Sequence, residues 1–121
     1  MKIGAPKESA RGEARVALTP ESAKQIQKLG HECLVETGAG LAAGFNDDTY
    51  RDAGVTVVDG ADALWNDAEV VIKVREPSDE EAERLREGQT LIAFFWPAQN
   101  EALLEKCKSQ GATVIAMDMV P

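Results

Sequence analysis

Glu69-Val70-Val71-Ile72-Lys73-Val74-Arg75-Glu76-Pro77 begins as a buried strand and ends as something else. Val70, Val71 and Ile72 are all β-branched and leave neither face polar, the pattern of a strand covered on both sides in a parallel sheet. Lys73 and Arg75 then place two cations at its carboxyl end. Pro77 closes the run, because proline has no N–H to continue a ladder. In open α/β sheets ligands settle just outside the carboxyl ends of the strands, so this end is where a site is expected.

Working outward, the chain alternates strand with helix. Lys2 to Ala5 reads as a first strand ended by Pro6, and Pro6 to Leu18 as a polar loop carrying Lys7, Glu8, Arg11, Glu13 and Arg15. Thr19-Pro20-Glu21 is a helix start, with threonine as N-cap, proline at the first position and an acid in the first turn. Ala23, Ile26 and Leu29 follow at three-residue spacing, and Lys28 and Gly30 close the helix. His31 to Glu36 is a second strand, and Val55 to Val58 a third. Asn46 or Asp47 caps a short helix through Ala53, and Ala61 to Asn66 forms one or two helical turns. After the central stretch, Ser78 with Glu81 has the form of a capping box, which predicts a helix running to Glu87 with Gly88 beyond it. Thr90 to Phe94 is the fifth strand, Asn100 caps the next helix, and Thr113 to Ala116 is the sixth strand. Such alternation through short turns means βαβ units. Right-handed crossovers put helices on both faces of a mainly parallel, doubly wound sheet, Rossmann-like or flavodoxin-like.

Composition narrows the function. A chain of 121 residues, 44% hydrophobic, suits one compact domain. A formal net charge of −8 argues against nucleic acid and against an anionic membrane surface as partner. The longest apolar run, Leu91 to Ala98, falls far short of the ~20 residues of a membrane-spanning helix, and the N-terminus has no signal-peptide pattern. Cys33 and Cys107 have no metal-ligand spacing, and with His31 as the single histidine a zinc site is not expected. These features describe a soluble, acidic, cytoplasmic domain.

Four features carry candidate chemistry. Gly38-Ala39-Gly40-Leu41-Ala42-Ala43-Gly44 has its third glycine one residue late for G-x-G-x-x-G and opens no long helix, so it reads as a structural turn. Lys73 is either a strand-end lysine snorkelling to water or a held lysine that binds a carboxylate or carbonyl oxygen or acts with a lowered pKa. Arg15 by spacing alone is a solvated loop charge. Phe94-Phe95-Trp96-Pro97-Ala98-Gln99-Asn100 is aromatic beyond the 5% average of the chain. It is either core or an apolar wall against another domain. Because the fourth and fifth strands should be neighbours, Lys73 and Trp96 are expected on one rim. His31 has no evident partner and reads as structural or merely exposed.

Met1-Lys2-Ile3-Gly4-Ala5-Pro6-Lys7-Glu8 and Glu13-Ala14-Arg15-Val16-Ala17-Leu18-Thr19-Pro20 resemble the start of the alanine dehydrogenase and pyridine nucleotide transhydrogenase N-terminal domain. Glu36-Thr37-Gly38-Ala39-Gly40, Ala53-Gly54 and Val71 to Pro77 agree, so the resemblance covers essentially the whole chain. It implies that Arg15 and Lys73 match the positions that hold the carboxylate and carbonyl of the keto acid in alanine dehydrogenases. The catalytic histidine of those enzymes falls where this chain has Trp96, a departure that argues against oxidative deamination of alanine. Phe95 to Asn100 and Ala116 to Pro121 look instead like the transhydrogenase α subunit, which binds NAD(H) and passes hydride to NADP(+) on another component, coupled to proton movement. On that resemblance Arg15, Lys73 and Trp96 are cleft residues that orient polar groups.

The same resemblance implies that NAD is the cofactor of the complete protein, with NADP on a partner component. Implied partners are a downstream NAD-binding domain of the same subunit, the NADP-binding and membrane components, and a second copy in a homodimer. Residues 1–121 are then a single N-terminal domain, without the G-x-G-x-x-G domain that follows in the family. They are expected to bind NAD weakly or not at all, to hold no confident catalytic residue, and to be inactive alone, as one wall of a cleft. The complete enzyme would keep this cytoplasmic domain peripheral to the inner membrane. The alternatives are an alanine dehydrogenase-like NAD-dependent oxidoreductase and a non-catalytic stand-alone binding module.

Overall fold

The computed structural model describes residues 1–96 and 99–119. Six strands, β1 (Lys2–Ala5), β2 (Glu32–Glu36), β3 (Thr56–Val58), β4 (Val70–Ile72), β5 (Thr90–Ala93) and β6 (Thr113–Ala116), form one sheet. Five α-helices join them: α1 (Pro20–Lys28), α2 (Asp47–Asp52), α3 (Ala61–Asp67), α4 (Asp79–Arg84) and α5 (Glu101–Ser109). Every neighbouring pair of strands is parallel, and the order is β3-β2-β1-β4-β5-β6. This is the doubly wound order of the Rossmann fold, and it selects that alternative over the flavodoxin-like one. The chain turns from one half of the sheet to the other between β1 and β4, and the carboxyl ends of those two strands form the switch point.

Local chemistry explains the helix starts. Thr19 Oγ1 accepts from the Ser22 N–H at 3.1 Å while Ser22 Oγ accepts from the Thr19 N–H at 2.9 Å, and Pro20 occupies the first turn of α1. Ser78 and Glu81 exchange the same pair of bonds at the head of α4. Three details differ from the sequence expectation. Leu29 caps α1 and is 76% exposed rather than packed on its apolar face. Helix α4 stops at Arg84 instead of Glu87. Leu85 leaves the helix in an extended conformation to be buried, and Arg86 and Gln89 then bond the backbone at the end of α3. Asn100 stands at the head of α5 but makes no side-chain cap, because its amide donates to Phe95 O at 2.8 Å.

The core lies in two layers. On one side of the sheet Leu34, Val71, Leu91, Ala93 and Ala116 meet Leu64 and Trp65 of α3, Ala68 just after it, Ala82 of α4 and Leu104 and Cys107 of α5. Helix α3 rests directly on β1: a Cβ at Gly4 would lie 2.9 Å from that of Ala68. On the other side Ala5, Cys33 and Val35 meet Ala23 of α1, Tyr50 of α2, and Val16 and Leu18 of the first loop. Helices therefore cover both faces as expected, but unevenly. The second cluster contains no residue of β5 or β6.

Candidate functional site

The segments leaving β1, β4 and β5 meet at the switch point. The Lys73 N–H still bonds Ile92 O at 2.9 Å, so the backbone of Lys73 remains in the sheet. Its side chain is only 1% exposed and its Nζ lies 3.1 Å from Glu8 Oε1 and 3.4 Å from Glu81 Oε2, with those side chains 3% and 11% exposed. Beyond Lys73 the backbone turns away: the Val74 and Arg75 N–H groups donate to the Glu8 carboxylate at 2.9 and 3.2 Å. Glu81 also accepts from Ser9 Oγ and the Ser78 N–H. Two carboxylates and one ammonium thus share a nearly dry site with most lone pairs satisfied, the condition under which buried charge is tolerated.

Arg75, two residues on, points elsewhere. With Arg15, Val74, Phe94 and Trp96 it lines a cavity of about 160 Å³ at the carboxyl ends of β4 and β5. Glu13 links the two cations. Its carboxylate takes a bidentate pair of bonds from Arg15 Nε and Nη2, both at 2.9 Å, plus the Arg15 N–H, and Arg75 Nη1 lies 3.9 Å away. The Arg15 guanidinium and backbone N–H hold the Glu13 carboxyl well below the ordinary carboxylate range, at about 2. The same contact pushes Arg15 up, and its side chain otherwise stands 71% exposed.

Trp96 forms the outer wall and is 51% exposed. Its φ of 53° puts it in the left-handed region, where among the described residues no other non-glycine lies. Such backbone persists only when its surroundings hold it. Here the Asp118 carboxylate accepts the Phe95 N–H at 3.1 Å and the Trp96 N–H at 2.6 Å. Phe95 turns into the core, whereas Phe94 stays 40% exposed beside the cavity. The aromatic run is therefore partly core and partly wall; Pro97 and Ala98 lie outside the described residues.

Of the residues singled out from sequence, Arg15 and Trp96 meet at one cavity, and Lys73 sits behind it under two carboxylates. Arg75 was noted with Lys73 as a cation at the strand end, whereas Glu8, Glu13 and Asp118 were not singled out. Lys73 and Arg75 have the same spacing signal. What separates them is where the chain leaves the sheet, and Glu8, 65 residues away from Lys73, decides that. The glycine run follows β2 rather than β1 and opens a three-residue 3-10 helix, Leu41–Ala43. A Cβ at Gly40 would lie 2.6 to 2.8 Å from Tyr50 and Phe45 O, so Gly40 serves close packing. His31 Nδ1 meets the N-terminal ammonium at 3.4 Å, on the opposite rim. Among the described residues no group of three or more His, Cys, Asp or Glu could hold a metal ion, and no helix is long and apolar enough to cross a membrane.

Residues 4–121 match the family described as alanine dehydrogenase/PNT, N-terminal domain. The chain belongs to that family. It is 66% identical over its full length to the NAD(P) transhydrogenase subunit alpha of Cereibacter sphaeroides, covering 23% of that protein. It is 42% identical over 120 residues to the alanine dehydrogenase of Halomonas elongata, covering 99% of this chain and 32% of that one. Among solved structures, the transhydrogenase from Sinorhizobium meliloti superposes with a TM-score of 0.93 at 37% identity, over 100% of this chain and 36% of that one. The chain therefore spans 23% to 36% of the length of these relatives, and its homology is to the N-terminal domain of the transhydrogenase α subunit.

Proposed function

We propose that this domain works as the N-terminal part of the NAD(H)-binding α subunit of a proton-translocating NAD(P) transhydrogenase. There it forms one wall of the cleft in which hydride passes between NAD(H) and NADP(H). One observation carries the choice between the two chemistries of the family: the cavity at the switch point is lined by Arg15, Val74, Arg75, Phe94 and Trp96. Deaminating an amino acid requires a group that takes up and returns a proton near neutral pH. A guanidinium stays charged and an indole N–H is a donor only, so this lining offers no such group. Hydride transfer between two nicotinamides moves no proton at the reacting carbons and does not need one. The 66% identity to a transhydrogenase α subunit points the same way.

In this reading the nucleotide-binding glycines belong to a following domain of the same subunit, and NADP is held by a partner component. The subunit pairs with a second copy and stays at the membrane through the complete assembly, and residues 1–121 are inactive by themselves. Arg15 and Arg75 orient polar groups across the cleft, Trp96 shields it from water, and the Glu8–Lys73–Glu81 cluster fixes the turn that aims Arg75.

The paired guanidinium groups also suit the carboxylate and carbonyl of a small keto acid, which favours an alanine dehydrogenase-like activity as second reading. The test is to assay the complete protein twice: for hydride exchange between NADPH and an NAD analogue with the partner components present, and for NADH oxidation by pyruvate and ammonia. Exchange without pyruvate-dependent oxidation is the expected result. Sustained pyruvate-dependent oxidation overturns the proposal.

A further inference from the structure

Trp96 meets the cavity from a left-handed backbone, and a residue with a Cβ does not hold that conformation unaided. β5 and β6 pair in register from Thr90 with Thr113 to Ala93 with Ala116. Carried two residues further, the same register sets Phe95 opposite Asp118, in the 3-10 helix Met117–Met119. The chain divides at this point: Phe95 is 0% exposed and Trp96 51%. Of the four backbone polar groups of this pair, two are met by the loop itself. Phe95 O accepts from the Asn100 amide at 2.8 Å, and Trp96 O from the Gln99 and Asn100 N–H groups at 2.9 and 3.2 Å. Both N–H groups donate to Asp118, that of Phe95 to Oδ1 at 3.1 Å and that of Trp96 to Oδ2 at 2.6 Å. A carboxylate suits this task because it offers two accepting oxygens; asparagine in its place turns an NH2 towards one of the donors. Asp118 stands exposed, so water can replace it as an acceptor, but water leaves the torsion at Trp96 free.

We propose that Asp118 is a positioning residue: its carboxylate sets the left-handed turn that lays the Trp96 indole along the cavity, and so governs how far water and ligand reach Arg15 and Arg75. Asp118 is not among the residues that line the cavity, so it acts through Trp96. Phe95 stays anchored in the core whichever way Trp96 turns, which confines the change to the wall. Losing the carboxylate therefore opens the site with little effect on the fold as a whole. The positioning itself rests on this geometry. Its effect on turnover rests on the hydride-transfer reading above, in which Trp96 keeps water from the cleft.

The experiment uses the complete protein with Asp118→Asn, with Trp96→Gly and with both. Asp67→Asn, at an exposed acid ending α3, is the charge control. The fluorescence lost on Trp96→Gly is that of Trp96, so each glycine variant is the blank for its parent. Acrylamide quenching of Trp96 is expected to rise about twofold in Asp118→Asn, as a side chain now 51% exposed is released, and to stay unchanged in Asp67→Asn. Hydride exchange should lose roughly tenfold or more in kcat in both single variants, with KM for NAD(H) little changed. The double variant should be no worse than the poorer single one, because both act on the same wall. Glycine takes the left-handed backbone freely, so Asp118→Asn should cost no thermal stability once Trp96 is glycine. Unchanged quenching overturns the proposal, whether or not the protein transfers hydride. So do losses in kcat that multiply in the double variant, or an unfolding of Asp118→Asn that Trp96→Gly does not relieve. Quenching that rises in a protein without exchange activity upholds the positioning and sinks the hydride-transfer reading instead.

Discussion

Replacing Lys73 by alanine tests whether the cluster behind the cavity is structural. The substitution removes the ammonium that lies 3.1 and 3.4 Å from two carboxylates and leaves Glu8 and Glu81 where they are, 3% and 11% exposed. Removing one partner of a buried ion pair costs about 3–5 kcal/mol, most of it from the charge left behind. Glu8 keeps the Val74 and Arg75 N–H groups, and Glu81 keeps Ser9 and Ser78, so the lower end of that range, about 3 kcal/mol, is expected. An unfolding entropy of about 2.1 cal/mol/K per residue comes to roughly 0.25 kcal/mol/K for 121 residues, so the loss lowers Tm by about 12 °C. The measurement is thermal unfolding at pH 7 followed by circular dichroism, with urea unfolding as a second probe. Combining Glu8→Gln with Lys73→Met should recover part of the loss, because fewer charges then remain without a partner. A drop in Tm below about 4 °C for Lys73→Ala, or no recovery in the double variant, would refute the view that these charges depend on one another.

Tyr50 is the single tyrosine of the sequence and donates to Leu18 O at 2.7 Å. Burial and the nearby Asp47 push its phenol up to about 12. Its contribution is fully present below pH 10 and is lost as pH rises towards 12; a spectrophotometric titration at high pH should show a midpoint near the latter, and Tyr50→Phe should cost about 1–2 kcal/mol at neutral pH by stranding the Leu18 carbonyl. Glu13 titrates in the opposite sense. The stabilisation from its bonds to Arg15 is present above the ordinary glutamate range and fades as pH falls to about 2, so Glu13→Gln should flatten the fall of Tm on acidification between pH 4.5 and 2. Gly40→Ala forces a Cβ against Tyr50 and Phe45 O and should cost about 1–3 kcal/mol, measured by urea unfolding with the unsubstituted chain as reference.

The elements were legible where the signal is local. Val70 to Ile72 announces a buried strand, and Thr19-Pro20 and Ser78 with Glu81 announce helix starts, because each rule is satisfied within a few residues. Helix ends were less legible. Glu87-Gly88 looks like a stop for α4, but burying Leu85 and seating Gln89 on the end of α3 wins over three more residues of helix. The site was half legible for the same reason. A cation at the end of a central strand marks the rim, and a local pattern can do no more. That Lys73 turns inward and Arg75 faces the cavity follows from Glu8, and that Arg15 is held beside the cavity follows from Glu13. Trp96 was visible as an aromatic in a loop, yet the carboxylate that sets its backbone, Asp118, lies beyond β6.

The strand order has a consequence for how the chain is made. β1, made before the other five strands, ends in the middle of the sheet with β2 on one side and β4 on the other. Its partner on the far side, Val70 opposite Ile3, is synthesised long after β2 has paired. At roughly 5–20 residues per second the stretch from Glu36 to Ile72 takes about 2–7 seconds to add. From Val58 to Val70, a sheet of β1, β2 and β3 formed before β4 is added would carry β1 as an open edge, the feature that recruits strands from other chains. Slow decoding between β3 and β4 should therefore lower the soluble yield of this domain more than the same delay placed after β6.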